Sequence, residues 1–338
     1  MASETLTPNP GTMMRAVVQA GFGDDGTYEV QSVPKPGLKD GEVLVQVKAV
    51  SINKGDWHSR VGEPGMVKMA VDVKAKPIPG HDYAGVVVEV GPGVEGVEAG
   101  DEVFGMCDRG AFAEFVAARE TDVVSMPAGV TFEDAAALAS AGMTAIQALR
   151  AGAKLEAGDK VCIVGASGGV GSFAVQLAKT VFDADVTAVC SGRNAAVVRS
   201  LGADDVIDYT EAAFTDVTPE PKYKTIVDLV GTTPVADCRA VLADDGSLVR
   251  VAFGEEEGFM FPLNKVLGMM ARSMFTSQKL VPFFQEPNAE DLRFLAGLTE
   301  EGKIRAHTTS IEGGLGAIPE AVADMGAGRA VGKRVVRV

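Results

Sequence analysis

The most constraining feature of the chain is a short glycine-rich loop, GASGGVG at 165–171, set between an apolar run, KVCIVG, and a helix-forming stretch, GVGSFAVQLAKTV. The pattern is A-x-G-x-x-G over Ala166, Gly168 and Gly171, with alanine in place of the usual first glycine. A strand that turns tightly into a helix leaves backbone amides pointing outward at the positive end of the helix dipole. That arrangement holds a pyrophosphate. Gly168 lets the backbone approach the ligand, and Gly171 lets the helix pack close to the strand. Small residues can also serve packing alone, but consecutive Gly168 and Gly169 would weaken the helix with no packing need. Ala166, Ser167, Gly168, Gly169, Val170 and Gly171 are therefore the candidate dinucleotide-binding positions.

The segments after the loop agree with it. ADVTAVC, DDVIDY, KTIVDLVG and SLVRVAFG read as strands, with NAAVVRSLG and TTPVADCRAVLA as intervening helices. Such alternation predicts an α/β unit, a parallel sheet with helices on both faces. Before it, MMRAVVQAG, EVLVQVKAVS, YAGVVVEVG and GAFAEFVAA alternate with period two and are split by Gly and Pro turns. They predict a barrel-like β module. The last segment holds an amphipathic helix, AEDLRFLAGLTEEG, and a final strand, GKRVVRV. It is too short to stand alone, so it is read as returning to complete the first module. At 338 residues the chain suits about two cores. The expected layout is a flexible tail at 1–12, a β domain from 13–135 and 281–338, and an inserted dinucleotide domain at 136–280.

The strand after the loop separates the two nicotinamide cofactors. An NAD site offers an acidic residue at that strand's end, for the ribose hydroxyls. Here the chain reads Val189-Cys190-Ser191-Gly192-Arg193-Asn194, with no acid. Ser191 can donate to a 2′-phosphate and Arg193 can clamp it with a planar fork. NADPH is the expected cofactor.

Composition narrows the partners. Acids outnumber bases 46 to 31, for a net charge of −15. That surface repels phosphate backbones and anionic membranes, so no nucleic acid or membrane partner is expected. The longest uncharged stretch, Val161–Ala178, carries glycines and polar residues and is a poor membrane span. Cys107, Cys162, Cys190 and Cys238 form no CxxC pair. With no signal-peptide pattern at the start, this reads as a reducing, cytoplasmic setting.

Eight segments in order now carry a resemblance: INKGDW (52–57), PIPGHDYAGVVVEVG (77–91), GDEVFG (100–105), GAFAEFV (110–116), AGMTAIQAL (141–149), GASGGVG (165–171), SLGADDVIDY (200–209) and VGKRVVRV (331–338). Together they are similar to the medium-chain dehydrogenase/reductase superfamily, and to its zinc-free, quinone oxidoreductase-like branch. The resemblance implies a GroES-like β-barrel domain formed by both chain ends, an inserted Rossmann domain, and a homodimer. It also implies contacts to the cofactor from Thr144, Tyr209, Phe253 and Gly254. Zinc alcohol dehydrogenases of the superfamily present cysteine, histidine and cysteine to the metal, where this chain has Asn53, His81 and Ser140. Amide and hydroxyl groups bind zinc poorly beside thiolate or imidazole, so no metal site is expected.

Without a metal to stabilise an alkoxide, alcohol oxidation is disfavoured. Reduction of a quinone or an α,β-unsaturated carbonyl needs only hydrogen-bond donors for the developing oxyanion, and a proton. Asn53 is the candidate donor, with an Asx turn as its alternative role. Tyr83 is a candidate proton donor, with packing and a satisfied hydroxyl as its alternative. The expected function is an NADPH-dependent reductase of small quinones or enones. The alternatives are an enoyl-thioester reductase acting on acyl-CoA and a non-catalytic NADPH-binding structural protein.

Overall fold

The structure, a computed structural model, describes residues 8–23, 27–63, 65, 67–217, 222–252, 263–328 and 330–338. The chain divides into two units. One comprises Met1–Ser140, Pro287–Glu301 and Ala306–Val338, and the other Ala141–Glu286 and Gly302–Arg305.

The first unit is built on a sheet whose strands run in the order Thr308–Ile311, Lys333–Arg337, Glu42–Ile52, Asp82–Val90, Glu102–Met106 and Val123–Ser125, with Phe115–Arg119 also paired to Glu42–Ile52. All these pairings are antiparallel except that of Thr308–Ile311 with Lys333–Arg337. A separate antiparallel ribbon, Pro8–Gln19 with Tyr28–Pro36, takes in residues 8–12, so the expected tail is shorter at this end. Val17 and Tyr28 of the ribbon share one core with Val45, Val50 and Tyr83 of the larger sheet and with Phe112. Alternation accounts for part of this: Val43, Val45 and Val47 of Glu42–Ile52 face the core, and after a register shift Val50 and Ile52 do. The helix Lys54–Val61, which the sequence reading did not anticipate, starts directly where Glu42–Ile52 ends. It stops at Gly62, whose φ of +74° closes the last turn.

The second unit carries an all-parallel sheet in the order Asp205–Asp208, Asp185–Cys190, Lys160–Val164, Tyr223–Asp228, Leu242–Arg250 and Lys279–Pro282. This order, 3-2-1-4-5-6, is that of the Rossmann fold. The glycine loop follows the first of its strands in sequence, and the helix Gly169–Phe182 follows the loop. The strand Lys279–Pro282 pairs with Leu242–Arg250, so the sheet extends past the expected boundary at 280. Leu263–Ser273, which the sequence reading did not anticipate, is a helix that buries Met269 and leaves Leu267 and Met270 exposed.

Candidate active site

In the first unit, a cluster of charged and polar side chains forms where three strands and two helices meet. Its centre is the buried carboxylate of Asp82. Ser51 Oγ donates to Asp82 Oδ2 at 2.6 Å and Asn53 Nδ2 donates to the same oxygen at 2.9 Å. Ser140 Oγ donates to Oδ1. Register explains this convergence: Ser51 and Asp82 face each other across adjacent strands. The pairing of Arg334 with Ile52 carries Lys333 in beside them. Lys333 Nζ donates to Asn53 Oδ1 at 2.6 Å and to the Ile52 carbonyl at 3.3 Å. It lies 3.7 Å from Asp82 Oδ2, an ion pair with both side chains buried. Burial pulls the Lys333 ammonium below the usual lysine value, and the charges of Asp82 and Asp56 oppose that.

Asn53 also starts the helix Lys54–Val61, in a reciprocal capping box with Asp56. Its backbone N–H donates to Asp56 Oδ2 at 2.7 Å. The other carboxylate oxygen of Asp56 is buried with no hydrogen-bond partner. Burial therefore pushes the Asp56 carboxyl upward, against the charge of His81. His81 Nδ1 lies 3.1 Å from the Cys107 carbonyl. A carbonyl only accepts, so Nδ1 carries the proton. Trp57 is a wedge: a Cβ on Gly326 would lie 2.4 Å from its Nε1.

Tyr83 corrects the sequence reading. Neighbouring residues of a strand point to opposite faces, and Tyr83 lies in the barrel core with no exposed surface. Its hydroxyl has no hydrogen-bond partner among the described residues, and burial raises its pKa well above the usual value. A phenol so placed donates no proton to a ligand, and its hydroxyl is not satisfied as the packing alternative assumed.

The second unit holds the candidate dinucleotide cradle, the loop 165–171. Gly165 turns the chain with φ +85°, and the helix Gly169–Phe182 begins at its N-cap Gly168. A Cβ on Gly171 would lie 2.2 Å from the Gly165 carbonyl oxygen and 2.7 Å from Ala166 Cα, so helix and loop touch there backbone to backbone. Gly168 differs. Its φ is an ordinary −78°, and a Cβ there would meet only Gly165 O, at 3.4 Å. No described neighbour requires glycine at 168, whereas close approach of a ligand to the backbone is a reason for one. Gly169 and Val170 open the helix, where the first backbone amides of a helix can bind a phosphate. Ala166 is buried, and Ser167 Oγ accepts from Asn194 Nδ2 at 3.0 Å.

The candidate adenosine-end residues lie at adjacent strand ends. Asp208 pairs with Cys190, which sets exposed Tyr209 beside Ser191 and exposed Arg193. An acid is present here after all, supplied by the neighbouring strand. A Cβ on Gly192 would lie 2.1 Å from Asp208 Oδ2. The Thr210 hydroxyl and amide, donating to Asp208 Oδ1 at 2.7 and 2.9 Å, hold this carboxyl below its usual pKa. Thr144 Oγ1 donates to Gln285 Oε1 at 3.1 Å, within the second unit. Phe253 and Gly254 lie outside the described residues.

Two further groups escaped the sequence reading. One is Lys333, whose only signal is a lysine opening an apolar last strand. The other is the buried Asp228–Arg250 pair, 2.9 Å apart at the ends of paired strands. Asp228 Oδ1 accepts the amides of Val230 and Gly231, and Arg250 donates to the Thr233 carbonyl at 2.6 Å. The loop so held packs on the cradle, since a Cβ on Gly165 would lie 3.0 Å from Val230 Cγ2.

Residues 39–128 match the alcohol dehydrogenase GroES-like domain family, and residues 201–336 match the zinc-binding dehydrogenase family. The chain is 36% identical over 307 residues to the chloroplast envelope quinone oxidoreductase homolog of Arabidopsis thaliana, covering 87% of this chain and 90% of that one. It is 35% identical over 229 residues to the NADPH-dependent alkenal/one oxidoreductase of the same plant, named chloroplastic, covering 64% and 58%. The solved quinone oxidoreductase from Coxiella burnetii superposes with a TM-score of 0.85 at 28% identity, over 97% of this chain and 100% of that one. The chain belongs to the medium-chain dehydrogenase/reductase superfamily, in its zinc-free, quinone oxidoreductase-like branch. It is an oxidoreductase, and the family supplies a nicotinamide cofactor.

The second family description raises zinc, and the donor chemistry here does not fit it. Asn53, His81 and Ser140 offer one imidazole and no thiolate. The Asp82 carboxylate already holds a cation, the Lys333 ammonium, and three neutral donors. Among the described residues no three His, Cys, Asp or Glu side chains are placed to hold a metal ion. No described helix is long and apolar enough to cross a membrane.

Proposed function

We propose that the protein is an NADPH-dependent reductase that transfers hydride, without a metal, to small quinones or α,β-unsaturated carbonyls. The observation that carries this reading is the Asn53–Lys333–Asp82 cluster. It offers an oriented amide donor backed by an ammonium, and such a group suits a carbonyl oxygen that gains charge. The bound nicotinamide would supply the hydride. Gly168, Gly169 and Val170 would hold its pyrophosphate, and Ser191, Arg193 and Tyr209 its 2′-phosphate. Asn53 would donate to the substrate oxygen, and solvent would supply the final proton. The relative named NADPH-dependent supports the choice of cofactor.

A homodimer and a cytoplasmic location belong to the same reading. The strand Lys279–Pro282 ends the six-stranded sheet with no further described strand paired to it. The chain just before it exposes Met274 and Phe275. An open edge with apolar neighbours suits a two-fold contact between copies. All four cysteines are free, which suits a reducing compartment. Both plant relatives carry chloroplast names, so imaging of the tagged protein decides the compartment.

The test follows NADPH absorbance with a quinone, an enone, an aldehyde and an acyl-CoA, with and without chelator. Turnover of quinone or enone that resists chelator is expected. Preference for acyl-CoA would move the assignment to an enoyl-thioester reductase, and loss with chelator would overturn the metal-free chemistry. Binding of NADPH with no turnover at all would leave a cofactor-binding scaffold.

A further inference from the structure

The cluster around Asp82 contains a buried cation that touches neither substrate nor cofactor in the proposed reaction. Lys333 is buried, and it is a lysine, the most strongly hydrated of the basic side chains. Placing an ammonium there is costly unless its position is needed. Its neighbours are Asn53 Oδ1 at 2.6 Å, the Ile52 carbonyl at 3.3 Å and Asp82 Oδ2 at 3.7 Å. The shortest contact is to the neutral amide and not to the carboxylate. An ammonium only donates and a carboxylate only accepts. With Lys333 on one side of the Asn53 amide and Asp82 on the other, the amide has a single allowed orientation, oxygen to Lys333 and nitrogen to Asp82. One N–H of that nitrogen is bound to Asp82. The other belongs to a residue that is partly exposed, whereas Ser51, Asp82 and Lys333 are buried. A cation on the amide oxygen draws electron density from the nitrogen, so the remaining N–H becomes a stronger donor.

We propose that Lys333 is a positioning residue: its buried ammonium orients and polarises the Asn53 amide, so that the outward N–H binds the substrate oxygen that becomes negative as hydride arrives. The proposal rests on the reductase reading for its substrate. The electron balance is simple. Hydride brings two electrons to a substrate carbon, the conjugated π system shifts onto oxygen, and a solvent proton neutralises that oxygen. Lys333 loses and gains no proton.

The test has two arms. The first is binding of 4-nitrophenolate, a stable oxyanion, to the cofactor-loaded protein, followed by its absorbance shift. Lys333→Met and Asn53→Ala should each weaken it ~10-fold or more, and Lys333→Arg should recover part of the loss. Affinity for NADPH itself, read by fluorescence, should not move. The second arm is kcat across quinones of rising electron deficiency. The loss in Lys333→Met should be largest for electron-rich quinones, whose oxyanions need most help, and should fall mainly on kcat with little change in KM. Should Lys333→Met fold poorly, the double variant Lys333→Met with Asp82→Asn removes both buried charges and serves in its place.

Unchanged phenolate affinity in a folded Lys333 variant would overturn the proposal. So would an equal loss of rate across all quinones, or full recovery of both readouts in the neutral double variant. If the wild-type protein reduces no quinone or enone yet binds phenolate in a Lys333-dependent way, the reductase reading fails and this one stands.

Discussion

The carboxylate of Asp208 fills the space that a side chain on Gly192 would need. A Cβ there would lie 2.1 Å from Asp208 Oδ2. Two strand ends are thereby locked beside Ser191 and Arg193, where the cofactor's adenosine end is proposed to sit. Gly192→Ala should weaken NADPH binding ~10-fold with little change in Tm. The double variant with Asp208→Ala regains room and should recover most of the loss. Titration calorimetry on the four members of that cycle measures the coupling.

The same carboxylate bears on the choice of cofactor. Asp208 is ionised at neutral pH, because Thr210 donates twice to it. A negative charge next to Ser191 opposes a 2′-phosphate and spares a ribose hydroxyl. Asp208→Asn should therefore raise the ratio of kcat/KM for NADPH over NADH. A ratio that falls would show that Asp208 acts by holding the loop alone.

Two glycines of the cradle should respond in opposite ways. At Gly171 a methyl group meets the backbone at 2.2 Å, so Gly171→Ala should cost about 1–3 kcal/mol in denaturant unfolding, as overpacked sites do. At Gly168 a methyl group has ordinary room, so Gly168→Ala should unfold within about 0.5 kcal/mol of wild type while losing cofactor affinity. Equal effects of the two substitutions on stability would contradict the distinction.

The pair Asp228 and Arg250 supports the loop under Gly165. Arg250→Met strands a buried carboxylate and should destabilise by about 3–5 kcal/mol. Asp228→Asn keeps the acceptor for the Val230 and Gly231 amides and should cost less. Denaturant midpoints of the two variants give the comparison.

Asp56 should make stability depend on pH in a particular direction. Its folded pKa is raised above the ordinary 3.8, so over that interval the folded state binds more protons than the unfolded one. Stability from this group is then present below the ordinary value and is lost as pH rises through the folded value. Asp56→Asn retains an acceptor for the Asn53 N–H and removes the titration. Its Tm should match or fall below wild type near pH 4 and gain on it steadily toward neutral pH. A constant difference across that range would show that Asp56 stays ionised in the fold.

The parallel sheet and its loop were legible because their signals are local. Residues 160–171 contain strand, turn and helix start within one short window. The Asn53 cluster was legible only in part. Asn53, His81 and Ser140 could be matched to a family pattern, but Lys333 reaches Asn53 across 280 positions, through a pairing that no local pattern encodes. Tyr83 was misjudged for the opposite reason. It adjoins Asp82, yet strand alternation sends the two side chains to different surroundings. Asp208 was missed because an acid is expected at the end of the strand after the loop, and this one stands on the next strand.

The arrangement of the first unit also governs the order in which the chain can fold. Glu42–Ile52 needs Lys333–Arg337 as a sheet neighbour, and the whole parallel sheet is synthesised between them. The inserted unit is nearly contiguous, from Ala141 to Glu286, and can close on its own contacts. Residues 49–52 of the outer unit's central strand must wait for Lys333–Arg337, a slow, non-local pairing that invites aggregation. Lys333, which completes the cluster around Asn53 and Asp82, can join it only after the parallel sheet has been synthesised.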